Sequence, residues 1–187
     1  KMETLARFAK EQNEFLLGYV NYLRERGAED ALILDDQTPY GGLVVQAYFF
    51  HLFDIGPDEV VILESDVPDA RYWNIQVWDP FCTTLDYVSR QSALDSDQLH
   101  IDADGRVRVV IAASDPGVAN WLDTCGWTNG GLIWRWNDAA TTPKPTSRKV
   151  KLADLKAELP ANTLFADEAY RRDALRKRAL LYQQRRK

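Results

Sequence analysis

The sequence predicts a mainly β protein, an antiparallel β-sandwich with an N-terminal helix and C-terminal helices. An amphipathic helical pattern opens the chain, at least five strand-like segments joined by short turns follow, and helical patterns return only after the last strand. Because strands do not alternate with helices, a doubly wound parallel sheet is disfavoured. We divide the chain into an N-terminal helix and loop (1–41), a β-sandwich domain (42–143) and a basic helical C-terminal extension (144–187).

The first helix is predicted from Met2 to Arg26, because apolar residues such as Leu5 and Phe8 recur at spacings of three and four. Gly27 is a plausible stop signal. Residues 28–42 contain acidic, proline and glycine residues and are predicted to be mostly loop.

The strand predictions rest on apolar runs and on alternation. The segment from Leu43 to Phe53 is apolar on both faces, which implies that both faces are covered. A second strand starts at residues 60–64. The third, residues 72–78, alternates and turns Trp73, Ile75 and Val77 to one face.

A hairpin is predicted from residues 99–102 and 106–113 around Ala103-Asp104-Gly105. Its second strand places Val107, Val109 and Ile111 on one face. The last strand covers residues 132–136, followed by a linker at 137–149 and helices near 152–159 and from 167 to the end.

Several strings together resemble the bacterial family called domain of unknown function 1214. The strings are Gly56-Pro57-Asp58-Glu59, Tyr72-Trp73-Asn74-Ile75-Gln76-Val77, Asp104-Gly105-Arg106-Val107-Arg108-Val109-Val110, Asp115-Pro116-Gly117-Val118-Ala119-Asn120-Trp121-Leu122-Asp123 and Arg135-Trp136. The similarity covers roughly residues 42–160, and Trp127 departs from it. It implies a jelly-roll-like β-sandwich and longer relatives with an additional N-terminal half. It brings no catalytic residue.

Charge is unevenly distributed along the chain. The formal net charge is −5, yet residues 144–187 contain 13 basic and 5 acidic residues. Such a segment can meet nucleic acid or an acidic membrane, but it lacks interleaved aromatic residues for base stacking. We therefore expect it to dock on the acidic body or to form a solvated helix, with no nucleic acid as partner. No apolar run is long enough to cross a membrane, so no membrane partner is expected.

Cysteine, histidine and motif content restrict the chemistry. Cys82 and Cys125 belong to no CxxC motif, which favours free thiols in the cytoplasm. Two histidines make a histidine-rich metal site improbable. The phosphate-binding, dinucleotide-binding, GxSxG and HExxH motifs are absent, so we expect no metal and no cofactor, and the catalytic residues are unknown.

The outward face of the third strand is the first candidate ligand site. Tyr72, Asn74, Gln76 and Trp78 combine two aromatic edges with two amides, which suit stacking on a flat ligand and bonding to its rim. The alternative is that a second layer, or a further half of the protein, covers this face and satisfies the amides. That structural alternative is favoured.

The loop from Asp115 to Asp123 is the second candidate. In one interpretation, Asn120 and Asp123 contact a ligand beside Trp121. In the favoured interpretation, Asp115 caps the Pro116-Gly117 turn, Trp121 plugs the end of the sandwich and Asn120 holds the loop backbone.

Three further polar groups have structural explanations that we favour. Glu64 and Asp66 are spaced about 7 Å apart on one strand face, as in glycoside hydrolysis, but 28 acidic residues make such pairs common. His51 in an apolar strand is more often a core residue than a base. Arg90 is more often paired with a carboxylate than with an anionic ligand.

Two functions remain open on this basis. The favoured one is a β-sandwich module that binds a small molecule or a partner domain. The alternative is an enzyme of unassigned reaction, hydrolase or lyase-type, with a pocket shared with an N-terminal half. In both, the first helix and the strand from Leu43 to Phe53 are expected to contact an N-terminal half or a homo-oligomer partner.

Overall fold

A computed structural model describes residues 2–184 of the chain and shows a mainly β protein with two sheets, an N-terminal helix and C-terminal helices. The elements in chain order are α1 (Met2–Glu25), β1 (Ile33–Leu34), β2 (Gln46–Asp54), β3 (Glu59–Asp66), β4 (Ala70–Trp78), β5 (Ala93–Asp95), β6 (Arg106–Ala112), β7 (Trp121–Asp123), β8 (Asn129–Ala139), β9 (Thr146–Lys151), α2 (Leu155–Glu158) and α3 (Glu168–Gln184). Short 3₁₀ turns cover Thr38–Tyr40 and Leu152–Asp154.

The five-stranded sheet has the order β1-β2-β8-β4-β5, and all its pairs are antiparallel. Its central strand is β8, which pairs with β2 and β4; Trp136 lies opposite Ala47 on one side and Trp73 on the other. The predicted strand from Leu43 to Phe53 begins later than expected, at Gln46.

The four-stranded sheet has the order β7-β6-β3-β9 and contains two strands that the sequence did not predict. β7 pairs with β6 in parallel, through Val110 and Trp121, so the expectation of antiparallel pairs alone was wrong. β9 occupies the predicted linker at 137–149 and extends the sheet beyond residue 143. Its Lys151 lies opposite Glu59 of β3, and charged side chains are typical of an edge strand.

The predicted hairpin was half right. β6 forms as expected, but residues 99–102 form no strand. The amide of Asn120 replaces the strand pairing: the His100 main-chain N–H donates to Asn120 Oδ1 (2.8 Å), and Asn120 Nδ2 donates to the His100 carbonyl (2.7 Å).

A single apolar cluster contains side chains of both sheets. It includes the residues expected in one core, which are fully or almost fully buried: Trp73, Ile75, Val77, Val107, Val109 and Ile111. These strand registers are therefore confirmed. Trp134 and Trp136 of β8 also have no exposed surface.

Helices cover the other face of each sheet. The C-terminal half of α1 packs Tyr19, Val20 and Leu23 with Phe50 of β2, whereas Phe49 joins the shared core. β2 is thus covered on both faces, as predicted. On the four-stranded sheet, Leu155 belongs to a second apolar cluster.

The first part of α1, up to Phe15, leaves apolar side chains uncovered. Its exposed apolar side chains include Leu5, Phe8 and Phe15, each more than half exposed, and Val44 before β2 is 87% exposed. Among residues 2–184, no helix is both long enough and apolar enough to cross a membrane.

Candidate functional site

The outward face of β4 borders a groove of about 380 Å³ against β5 and α3. Three of the four predicted side chains, Tyr72, Asn74 and Gln76, line it. They alternate with the core residues of the same strand, which is why the period-2 pattern found them. Tyr72 is 44% exposed and offers an aromatic wall to a ligand.

Trp78 follows the same alternation but lies outside the groove. It is 7% exposed and belongs to the apolar cluster beneath α1, together with Phe50 and Ile133. A Cβ added to Gly131 would lie 2.1 Å from Trp78 Cζ2, so the indole occupies the space that the missing side chain leaves. The structure therefore places Trp78 in the core rather than at a ligand site.

The two amides of the groove are only partly satisfied. Asn74 Nδ2 donates to the hydroxyl oxygen of Tyr72 (3.1 Å), but Asn74 Oδ1 is buried and has no hydrogen-bond partner among residues 2–184. A buried acceptor without a partner costs about 1–3 kcal/mol. The Asn74 amide is therefore incompletely bonded within the described residues.

Arg135 of β8 is the polar residue of this face that the site prediction missed. It lies opposite Asn74 in the sheet register, and its Nη1 donates to Gln76 Oε1 (3.1 Å). Within the described residues it forms no ion pair, and burial lowers the pKa of Arg135 below its usual value. The sequence did contain a signal for Arg135: the alternation of β8 turns it outward, between Trp134 and Trp136, which face the core. A half-buried arginine needs a polar or charged partner, so this position could have been noted as a candidate.

Arg178 of α3 forms another wall of the groove. Its Nη2 donates to the Ala93 carbonyl (2.8 Å) and its Nη1 to the Tyr87 carbonyl (3.2 Å). Burial lowers the pKa of Arg178, while the charge of Asp95 acts in the opposite direction. These bonds dock the basic C-terminal extension on the body of the protein, as expected.

A larger groove of about 900 Å³ lies between α1 and the start of β2, but its arginine and its buried carboxylate are paired with each other. Arg26 pairs with Asp35, and the Tyr22 hydroxyl donates to the same carboxylate (2.8 Å). The smaller groove at β4 is therefore the better candidate for a ligand site.

The polar side chains of the second candidate, the loop before β7, are engaged within the protein. Asn120 bonds both main-chain groups of His100, and its Nδ2 also donates to the Arg108 carbonyl (2.9 Å). Asp123 accepts two bonds of 2.9 Å from Arg90. The predicted pairing of Arg90 with a carboxylate is thus confirmed.

Trp121 is 8% exposed, and its Nε1 donates to the Ala112 carbonyl (3.0 Å). It belongs to the apolar cluster on the face of the four-stranded sheet that α2 covers, rather than to the shared core. The guanidinium of Arg171 lies over its ring at 5.1 Å. As expected, Asp115 Oδ1 accepts a bond from the Gly117 main-chain N–H (2.8 Å). The contacts of this loop thus give Asn120, Trp121 and Asp123 a structural role.

The remaining polar candidates do not form a catalytic group. Glu64 pairs with Arg106 and Arg108, and Asp66 pairs with Arg106 (3.0 Å). His51 is buried in β2, which lowers its pKa, and its Nδ1 has no partner in the described chain. Among residues 2–184, neither histidine ring bonds to a serine, threonine or cysteine side chain, and no cluster of acidic, histidine or cysteine residues is arranged to hold a metal.

The chain matches no protein-family model and no curated protein. It is similar to the crystal structure of an uncharacterised protein from Burkholderia cenocepacia, with 36% identity and a TM-score of 0.63 over 66% of this chain and 35% of that one. It also aligns with a protein from Vibrio parahaemolyticus, with 14% identity and a TM-score of 0.45 over 71% of this chain and 42% of that one. This chain therefore spans about a third of the length of the first relative and less than half of the second.

Proposed function

We propose that this chain is a ligand-binding β-sandwich module whose small-molecule site is the groove beside β4. The observation that carries the proposal is a concave groove lined by Tyr72, Asn74 and Gln76, in which Asn74 Oδ1 has no partner within residues 2–184, beside Arg135, which forms no ion pair within the same residues. Binding sites combine a concave, largely apolar surface with a few such polar groups.

The proposal includes a jelly-roll-like packing of the two sheets and membership of the domain of unknown function 1214 family. The single apolar cluster that joins side chains of β4 and β8 with those of β3 and β6 supports face-to-face sheets. The family assignment rests on the sequence strings alone.

We propose a reducing, cytoplasmic setting for the protein. Cys82 and Cys125 are both free thiols. Burial raises the pKa of Cys82 to about 11, which keeps this thiol protonated at neutral pH.

We also propose that the exposed part of α1 contacts a further segment of protein. This segment would correspond to the part of the longer relative that lies outside its match with this chain. Leu5, Phe8 and Phe15 supply the apolar surface, and Val44 extends it. The relative at 36% identity has almost two thirds of its length outside the match. Phe49 and Phe53 are buried within this chain, so they are not part of the proposed interface.

A fragment screen followed by amide NMR shifts tests the ligand site. Small polar fragments should shift the signals of Tyr72, Asn74 and Gln76 together, and Asn74→Ala or Gln76→Ala should weaken their binding. Asn162→Ala, at an exposed loop amide, is the matched control and should bind as the original chain does. Fragments that gather only in the larger groove between α1 and β2 would contradict the proposal.

A further inference from the structure

The charge beside the proposed ligand site is unusual, because Arg135 bonds Gln76 of the groove and has no acidic register partner. Its register partners are Tyr48 on β2 and Asn74 on β4, both uncharged at neutral pH. A partly buried charge without a counter-charge is costly. Within residues 2–184, the hydrogen bond that Arg135 makes is from Nη1 to Gln76, and its Nε and Nη2 donate none.

The acidic residue of the groove does not supply the missing charge. Asp95 lies opposite Asn74 on the far side from Arg135, and its Oδ1 accepts bonds from the main-chain N–H groups of Asp97 and Gln98 (both 3.1 Å). Arg178 is held by carbonyl oxygens of Tyr87 and Ala93. Arg135 does not itself line the groove but bonds Gln76, which does, so its guanidinium lies beside the groove.

We infer that the ligand of this groove is a small carboxylic acid, bound through its carboxylate to the guanidinium of Arg135. This inference rests on the proposed function. A guanidinium fork matches the planar carboxylate in a bidentate pair, which is about twice as strong as a neutral hydrogen bond. The pair would also supply the counter-charge that the sheet face lacks.

Other features of the groove select a singly charged ligand with an aromatic or ring-shaped body. Asp95 repels a dianion such as phosphate, and the groove offers no glycine-rich loop or helix N-terminus of the kind that binds phosphate. Tyr72 and Tyr87, each a little under half exposed, provide ring surfaces for stacking.

The test compares 4-hydroxybenzoate with 4-hydroxybenzamide, in which a neutral amide replaces the carboxylate, and adds inorganic phosphate as a third probe. Binding is followed by amide NMR shifts at Tyr72, Asn74 and Gln76. We expect the carboxylate to bind at least tenfold more tightly than the amide, and phosphate to leave these signals unchanged. Arg135→Gln should remove the preference, whereas Arg135→Lys should keep part of it, because lysine retains the charge but not the fork.

Arg176→Gln is the matched control, since this arginine is exposed on α3 two residues from Arg178. It should leave the preference intact. Unchanged amide spectra away from the groove show that each variant is folded. Equal binding of both probes, or an Arg135→Gln variant that keeps the preference, overturns the carboxylate inference while the ligand site stands. If neither probe nor any library fragment binds at β4, the proposed function itself fails.

Discussion

Trp78 of β4 lies against Gly131 of β8, and a Cβ on that glycine would come within 2.1 Å of the indole. Gly131→Ala should therefore lower the free energy of unfolding by about 1–3 kcal/mol through overpacking, as measured by urea denaturation. Gly18→Ala in α1 is a control of opposite sign: a Cβ there meets nothing within 4 Å, so we expect stabilisation of about 0.5–1 kcal/mol. A neutral Gly131→Ala would show that the tryptophan is not confined there.

The shared core predicts large losses from truncation. Ile75→Ala and Ile111→Ala should each cost about 2–5 kcal/mol, because both side chains have no exposed surface and come from different sheets. Chemical denaturation measures both values. A cost below about 1 kcal/mol at either position would contradict a common core.

The loop before β7 should behave as a structural element. Trp121→Ala should lower stability by about 3–5 kcal/mol, and Asn120→Ala, which leaves the main chain of His100 unpaired, should cost about 1–3 kcal/mol. Calorimetry distinguishes this from a binding role. If these residues served only to bind a ligand, both variants would have the same melting temperature as the original chain.

The burial of His51 predicts a pH dependence of stability. Its pKa is lowered chiefly by burial, with Lys149 acting in the same direction and Asp30 in the opposite one. The unfolded chain then binds a proton more readily, so stability is fully present above about pH 6.5 and decreases as the pH falls toward the folded-state pKa. Urea midpoints between pH 7.5 and 5.5 should show this loss. His51→Gln should reduce it, and His100→Gln should not.

The exposed half of α1 should contribute little to the stability of the isolated chain. Combined Leu5→Gln, Phe8→Gln and Phe15→Gln should change the free energy of unfolding by no more than about 0.5 kcal/mol and should reduce binding of an apolar dye, since these side chains are exposed. Sedimentation should give a monomer before and after. A dimer that the triple variant abolishes would show instead that a second copy covers this surface.

The parts of the fold that sequence patterns predicted are those in which burial follows a simple period. β4 alternates between Trp73 inside and Asn74 outside, and α1 repeats its apolar residues every three or four positions. β9 was not predicted because a neighbouring strand stabilises it. Val150 and Lys151 pair with residues of β3 that lie about 90 positions earlier in the chain. Local composition carries no signal for such a pairing.

The candidate site was predicted for three of its side chains and missed for one. Asn74 and Gln76 stand out in sequence as amides in an apolar strand. Arg135 stands out only when the sheet register places it beside Asn74 without a carboxylate. Trp78 faces outward like the site residues, but α1 covers this end of the sheet. No sequence pattern within β4 indicates that α1 lies there.

The order of strands has a consequence for how the chain folds as it is synthesised. β8 separates β2 from β4, and β9 is the edge neighbour of β3, so each sheet is completed by a strand made much later than its first strand. Neither sheet can close until residues 129–151 have left the ribosome, and long-range pairings of this kind form slowly. Until then β2 and β4 are nascent, aromatic-rich edges that need protection from pairing with other chains.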